Sequence, residues 1–259
     1  CVAGCGEISI REECKTLSCG GLTLTEGDII SVDGSSGCIY SGEIPTVLVE
    51  NNQDLQRLLS WADEVARLKV RANAETVKDL ETAMKFGAQG VGLARTEHMF
   101  FGQDRILEMR RLILADNEEE IKIALKLLLH FQEEDFYQMF QAVQDKPMII
   151  RLLDPPMHEF LPKDPQEIKL LAEKLHKSPE KLARQIENLQ ESNPMLGHRG
   201  CRLGITQPEI YKMQAEAIFR SAIRLHQEGL KIKPEIMIPL IADKKELDFV
   251  KSYLTEHLQ

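Results

Sequence analysis

Apolar and polar positions alternate differently in the two parts of the chain. Over residues 1–45 the apolar runs are short and broken by turn residues. Ile29 to Val32 is mostly apolar, Asp33-Gly34-Ser35-Ser36-Gly37 is turn chemistry, and Cys38-Ile39-Tyr40 resumes the run. Gly20-Gly21 and Glu26-Gly27-Asp28 mark two further turns. This predicts β structure, in too short a stretch to bury a core of its own, so it reads as the tail of a domain. Pro45 to Asn52 reads as a linker. Leu58, Ala62 and Val65 then share one helical face opposite Asp63, Glu64 and Arg67, which predicts a linker helix within residues 46–67.

From residue 68 onward the pattern becomes strand, helix, strand, helix. Strands are predicted at residues 69–73, 90–94, 147–153 and 236–240, and a short glycine-punctuated one at 197–205. Helical stripes run through Val77, Leu80 and Met84, stopped by Gly87, and over residues 117–143. Others cover the charge-rich residues 163–191, then Tyr211, Ala215, Ile218, Ala222 and Leu225, and finally Leu247, Val250, Leu254 and Leu258. Glu118-Glu119-Glu120 suits a helix N-terminus. Apolar strands alternating with helices imply an α/β protein with a parallel sheet covered by helices. About five strand–helix units are expected over residues 68–259, whereas a closed (β/α)8 barrel needs eight. The expected fold is therefore an open sheet or an incomplete (β/α)8 TIM barrel.

Composition narrows the classes. The 259 residues, 43% hydrophobic and 28% charged, suit one large or two smaller globular domains. No stretch of about 18 consecutive apolar residues suggests a membrane-spanning helix. A formal charge of -9 argues against a nucleic-acid binder, while leaving room for a local Arg cluster that takes anions. The six cysteines, five of them within the first 38 residues, show neither a C-x-x-C spacing nor a zinc-finger histidine. They read as reduced, mostly packed thiols of a cytosolic protein. The chain opens on Cys1 with no leader pattern and reads as a piece of a longer one.

Three segments carry candidate chemistry. In Gly92-Leu93-Ala94-Arg95-Thr96-Glu97-His98, Arg95 ends an apolar strand, where a fork-shaped cation suits carboxylate or phosphate. A surface pair between Arg95 and Glu97 explains it equally well. In Ile150-Arg151-Leu152-Leu153-Asp154-Pro155-Pro156-Met157-His158, Arg151 lies inside an apolar run, an expensive place for an unpaired charge. It either faces a site or pairs with Asp154. In Asn193-Pro194-Met195-Leu196-Gly197-His198-Arg199-Gly200-Cys201-Arg202-Leu203-Gly204, Arg199 and Arg202 form an anion-binding wall or a tight loop with solvated cations. His158 and His198 are weaker candidates beside these segments, as is His98. His130, His176, His226 and His257 read as helix surface residues.

Taken together the segments resemble the pyruvate, phosphate dikinase family over nearly the whole chain. Residues 1–45 resemble the C-terminal part of its swivelling phosphohistidine domain. Residues 68–259 resemble the N-terminal part of its phosphoenolpyruvate-binding barrel, with Gly90 to Phe100, Arg151 to Pro162 and residues 193–205 as the matching motifs. The resemblance implies reversible conversion of ATP, phosphate and pyruvate to AMP, diphosphate and phosphoenolpyruvate through a phosphohistidine. It implies that Arg95 and Arg151 bind substrate, with Asp154, His158, Arg199 and Arg202 as weaker candidates. It also implies that no catalytic residue lies in this chain. The family's Gly-Gly-Met-Thr-Ser-His motif is absent, and its acid Cys and Mg²⁺-binding Glu and Asp are expected beyond Gln259; Glu235 and Cys201 do not match them. ATP would be bound by a domain not present, and the parent would be a homodimer of the cytoplasm, a plastid or a glycosome. Five of eight strands would leave open edges, so the segment alone is expected to be unstable and inactive. The alternatives are a non-catalytic paralogue acting as a binding protein and a sibling phosphoenolpyruvate synthase. Asp154-Pro155-Pro156-Met157-His158 speaks against the sibling.

Overall fold

The computed structural model describes residues 2–46 and 52–259. The linker expected at residues 45–52 thus lies largely outside the described residues, as does Cys1. The chain divides into two compact units, Cys1–Ala66 and Arg67–Gln259.

In the first unit β1 (Ser9–Arg11), β2 (Thr16–Cys19) and β3 (Leu22–Thr25) form an antiparallel sheet, and β4 (Ile30–Asp33) pairs with β5 (Cys38–Ser41) as a hairpin. The hairpin turn forms where its residues predict it. The Asp33 carboxylate accepts from the Ser35 amide at 2.9 Å and the Ser36 hydroxyl at 2.6 Å. Helix α1 (Gln53–Val65) starts on Asn52, whose side chain accepts from the Leu55 amide at 3.0 Å. No residue of α1 is buried. Cys5, Cys14 and Cys38 are exposed and Cys19 is half-buried, so among the described cysteines the expectation of mostly packed thiols holds only for Cys201. The strands are too short, and their sheets too thin, to cover them.

The second unit is a parallel sheet, β6 (Ala72–Asn73), β7 (Val91–Arg95), β8 (Pro147–Arg151) and β9 (Lys233–Met237), in that spatial order. Between them run α2 (Val77–Lys85), α3 (Gln103–Ile113), α4 (Glu118–Val143), α5 (Pro165–Leu175), α6 (Pro179–Asn188), α7 (Cys201–Thr206) and α8 (Pro208–Gln227); α9 (Lys244–His257) follows β9. Among the described residues the sheet has four strands, not five. The predicted strand at 197–205 is helix α7. Its buried Cys201 and Leu203 with exposed Arg202 mimic strand alternation, but Gly200 at φ +58° turns the chain, and the Gly204 amide donates to the Gly200 carbonyl at 3.1 Å. The last strand also lies earlier than the apolar run suggested, ending at Met237.

One face of the sheet packs on helices. Val91, Ala94, Met148 and Ile150 are buried against α4 and α8. Helix α4 contributes Ala124, Leu128, Phe136 and Phe140, and α8 contributes Tyr211, Ala217, Ile218 and Leu225. Each fully buried large side chain here is worth roughly 1.5–3 kcal/mol. The Ser221 hydroxyl ties the pair together, donating to the Glu133 carbonyl at 2.7 Å.

A smaller core of Leu114, Leu161, Leu171, Leu175, Leu182 and Ile186 holds α5 and α6. Lys181 and Lys177 converge there on Asp116, at 2.8 and 3.0 Å, and hold its carboxyl down at about 2. A depressed carboxyl stabilises the fold above its unfolded value, and that contribution is lost as pH falls through the folded one. The side chain is a third exposed, so the effect is modest. In urea melts, Asp116→Asn is expected to be less stable near neutrality and to lose less stability than the parent between pH 4 and pH 2. Parallel pH curves for the two proteins would refute this.

Candidate functional site

Two arginines close adjacent parallel strands. Arg95 ends β7, Arg151 ends β8, and the two are Cα partners in the ladder. Ile150 is fully buried towards the helices, so the next residue in the pleat, Arg151, turns to the other face of the sheet. Two guanidinium groups so placed repel unless carboxylates compensate them, and the structure supplies three. Glu75, just before α2, pairs with Arg95. Glu97, on the short 3-10 turn Thr96–Phe100 that follows β7, pairs with Arg151. Asp154 lies 2.9 Å from Arg151 Nη1 and 2.7 Å from Arg199 Nη2. The result is a chain of alternating charge, Glu97–Arg151–Asp154–Arg199, beside the separate pair Glu75–Arg95. Glu97 and Asp154 are 6% and 3% exposed, a position carboxylates tolerate only when paired.

The exit of β8 is fixed from three sides. The Leu152 amide donates to the Met237 carbonyl at 3.0 Å, and the Leu153 amide to Gln214 Oε1 at 2.8 Å. The Tyr211 hydroxyl donates to the Leu153 carbonyl at 2.8 Å. Burial pushes the Tyr211 phenol far above its usual range, which keeps it a donor. The Gly200 amide closes the loop on the Asp154 carbonyl at 2.9 Å. Arg151 and Asp154 therefore stand on braced backbone.

The structure brings together four of the sequence candidates: Arg95, Arg151, Asp154 and Arg199. Arg202 stands apart; its Nη1 donates to the Leu196 and Gly197 carbonyls at 3.0 and 3.3 Å and ties down that loop. His198 bonds Thr206 at 2.7 Å. His158 is buried on the turn Met157–Phe160 and takes no part in the ion-pair chain; its Nδ1 has no hydrogen-bond partner among the described residues. The pair of Arg95 with Glu97, considered from sequence, is not formed. Arg151 and Asp154 do pair, as part of the larger chain. The sequence reading missed Glu75. It lies 20 positions before Arg95, and only the parallel pairing of β6 with β7 brings the two segments side by side.

Among the described residues, Glu97 Oε2, Thr96 Oγ1 and Arg151 Nε find no hydrogen-bond partner, although all three are buried. A guanidinium carries five N–H donors, so each arginine keeps donors beyond its carboxylate partners. Fixed cations of this kind suit a small anion with a carboxylate or phosphoryl group. They do not suit a divalent metal. Glu75, Glu97 and Asp154 are each held by a guanidinium, and Glu235 forks onto Arg71 at 2.7 and 3.2 Å. Among the described residues no group of three or more His, Cys, Asp and Glu side chains comes together as a metal-ligand set. No helix is long and apolar enough to cross a membrane among the described residues.

The second unit is thus an α/β domain with two arginines at the ends of adjacent parallel strands. The family model described as PEP-utilising enzyme, PEP-binding domain, matches residues 49–259, and the chain belongs to that family. It is 49% identical over 257 residues to the pyruvate, phosphate dikinase of Clostridium symbiosum, covering 99% of this chain and 29% of that protein. It is 48% identical to the pyruvate, phosphate dikinase of Rhizobium meliloti over 97% of this chain and 28% of the relative. To that of Giardia intestinalis it is 47% identical over 96% of this chain and 28% of the relative. The chain thus spans under a third of the length of these curated relatives.

Proposed function

We propose that this chain is a segment of a pyruvate, phosphate dikinase and supplies the cationic part of its phosphoenolpyruvate and pyruvate site. The observation that carries the reading is Arg95 beside Arg151 at the ends of adjacent parallel strands. In a phosphoryl transfer, negative charge spreads over the phosphoryl oxygens, and positioned cations stabilise it. Arg95 and Arg151 hold the carboxylate or phosphoryl oxygens of the bound anion, and Asp154 with Arg199 keeps Arg151 in place. In this reading residues 1–45 are the tail of the swivelling phosphohistidine domain, residues 46–67 a linker helix, and residues 68–259 the first part of a (β/α)8 barrel. The phosphohistidine, the ATP-binding domain and the Mg²⁺ ligands belong to the rest of the parent chain, a cytoplasmic, plastid or glycosomal homodimer.

The test is turnover by the full-length chain that carries this segment. It is expected to convert pyruvate, ATP and phosphate to phosphoenolpyruvate, AMP and diphosphate, whereas the 259-residue segment alone gives no product. Arg95→Lys keeps the charge but loses the planar fork, and is expected to lower kcat/KM for pyruvate on the order of 10–100-fold. A full-length chain that forms no phosphoenolpyruvate, or an Arg95→Lys enzyme with parental kinetics, would refute the reading.

A further inference from the structure

Arg95 is a long, flexible side chain, a third exposed, at the mouth of the sheet. Left alone it would sample many rotamers, and ordering it on a ligand would cost up to about 2 kcal/mol. One carboxylate restrains it. Glu75 sits in the short segment between β6 and α2 and is only 19% exposed. Its Oε1 accepts from Arg95 Nη1, and its Oε2 lies 2.5 Å from His98 Nδ1. The backbone beneath it is fixed as well. The Ala74 amide donates to the Leu93 carbonyl at 3.2 Å, and Thr76 caps α2 in a reciprocal box with Asp79. His98 in turn stands on the 3-10 turn that follows Arg95, its ring edge-on to Phe101 at 6.5 Å. Glu75 is therefore a fork between two groups on the strand exit, held by a rigid corner of the fold.

We propose that Glu75 is a positioning residue of the anion clamp: it orients Arg95 alongside Arg151, and His98 holds Glu75 in place. This rests on the reading of Arg95 as a substrate-binding residue. With one Nη anchored, the remaining donors of Arg95 are presented towards the anion without a rotamer search. Glu75 itself touches no substrate. Its removal adds net positive charge to the site, so ground-state attraction of the anion is kept while the orientation is lost. The effect therefore falls on kcat more than on KM.

The experiment is a double-mutant cycle on the full-length chain, with kcat and KM measured separately for phosphoenolpyruvate. Glu75→Gln, nearly isosteric, is expected to lower kcat on the order of 10–100-fold with KM changed much less. Glu75→Asp keeps the charge and is expected to recover part of that loss. In an Arg95→Ala background, Glu75→Gln is expected to change kcat by no more than about twofold, because the residue it positions is gone. A Glu75→Gln enzyme with parental kcat would overturn the proposal. So would an equally large Glu75→Gln effect with Arg95 absent, which marks a structural role. An Arg95→Ala enzyme with parental kinetics would overturn the clamp, and the role of Glu75 with it. Thermal melts of each variant separate misfolding from mispositioning: the proposal expects Glu75→Gln to melt as the parent does, and a collapse of the fold in both Glu75 variants would overturn it.

Discussion

Replacing Arg151 with Met is expected to damage the fold and, on its proposed substrate role, turnover by the full-length chain. Arg151 is the link between two buried carboxylates, Glu97 on one side and Asp154 on the other. Removing it leaves Asp154 with Arg199, bound through Nε at 3.4 Å and Nη2 at 2.7 Å. Glu97 is left with no cation among the described residues, in a place where it is 6% exposed. Breaking a buried pair from one side costs about 3–5 kcal/mol, because the orphaned charge stays in a poor solvent. That is a large part of a typical domain's 5–15 kcal/mol. The activity loss is separate: removing one positioned donor from a developing charge costs about 10²–10³-fold in kcat. The two parts can be told apart. Adding Glu97→Gln to Arg151→Met removes the orphaned charge and should restore most of the urea midpoint, while turnover stays low. If the double variant is no more stable than Arg151→Met alone, the buried ion pair is not what holds this corner.

The readable parts of the fold were those with a simple period. The stripe Tyr211, Ala215, Ile218, Ala222, Leu225 became α8, and residues 117–143 became α4 within a residue or two. Helix α3 was missed, although Ile106, Met109 and Ile113 carry a stripe, because Arg105, Glu108, Arg110 and Arg111 dominate the composition around it. Helix α7 reads as a strand because a six-residue helix makes fewer than two turns, too few to separate a period of 3.6 from alternation. The site was partly readable for a related reason. Arg95, Arg151 and Asp154 fall at or just past the strand ends, where parallel sheets place their ligands. Their partners obey no local spacing. Glu75 to Arg95 spans 20 positions and Arg199 to Asp154 spans 45, so only tertiary contact defines them.

Gly204→Val is expected to destabilise the second unit by about 3 kcal/mol and to loosen the site from behind. Gly204 lies in α7 against the ring of Tyr211: a Cβ there would come within 2.4 Å of ring atom Cε2 and 2.5 Å of Cδ2. Neither partner can yield easily. Tyr211 is fully buried and its hydroxyl is spent on the Leu153 carbonyl, while the Gly204 carbonyl accepts from the Tyr253 hydroxyl at 2.8 Å. Helix propensity favours Val over Gly by only a few tenths of a kcal/mol, whereas forcing added methyl groups into a packed core costs about 1–3 kcal/mol or more. Sterics therefore win, and the movement falls on Tyr211. Once the ring shifts, the Leu153 carbonyl loses its donor, and the backbone carrying Arg151 and Asp154 loses one of its braces. On the proposed role of Arg151, the full-length chain's substrate affinity should drop along with stability. A second-site change, Tyr211→Leu, opens the space and gives up the hydroxyl. In that background Gly204→Val should cost much less in urea unfolding, while the weakened affinity persists, because the brace on Leu153 is absent either way. Equal costs in the two backgrounds would mean that the contact between α7 and Tyr211 does not set the position of the β8 exit.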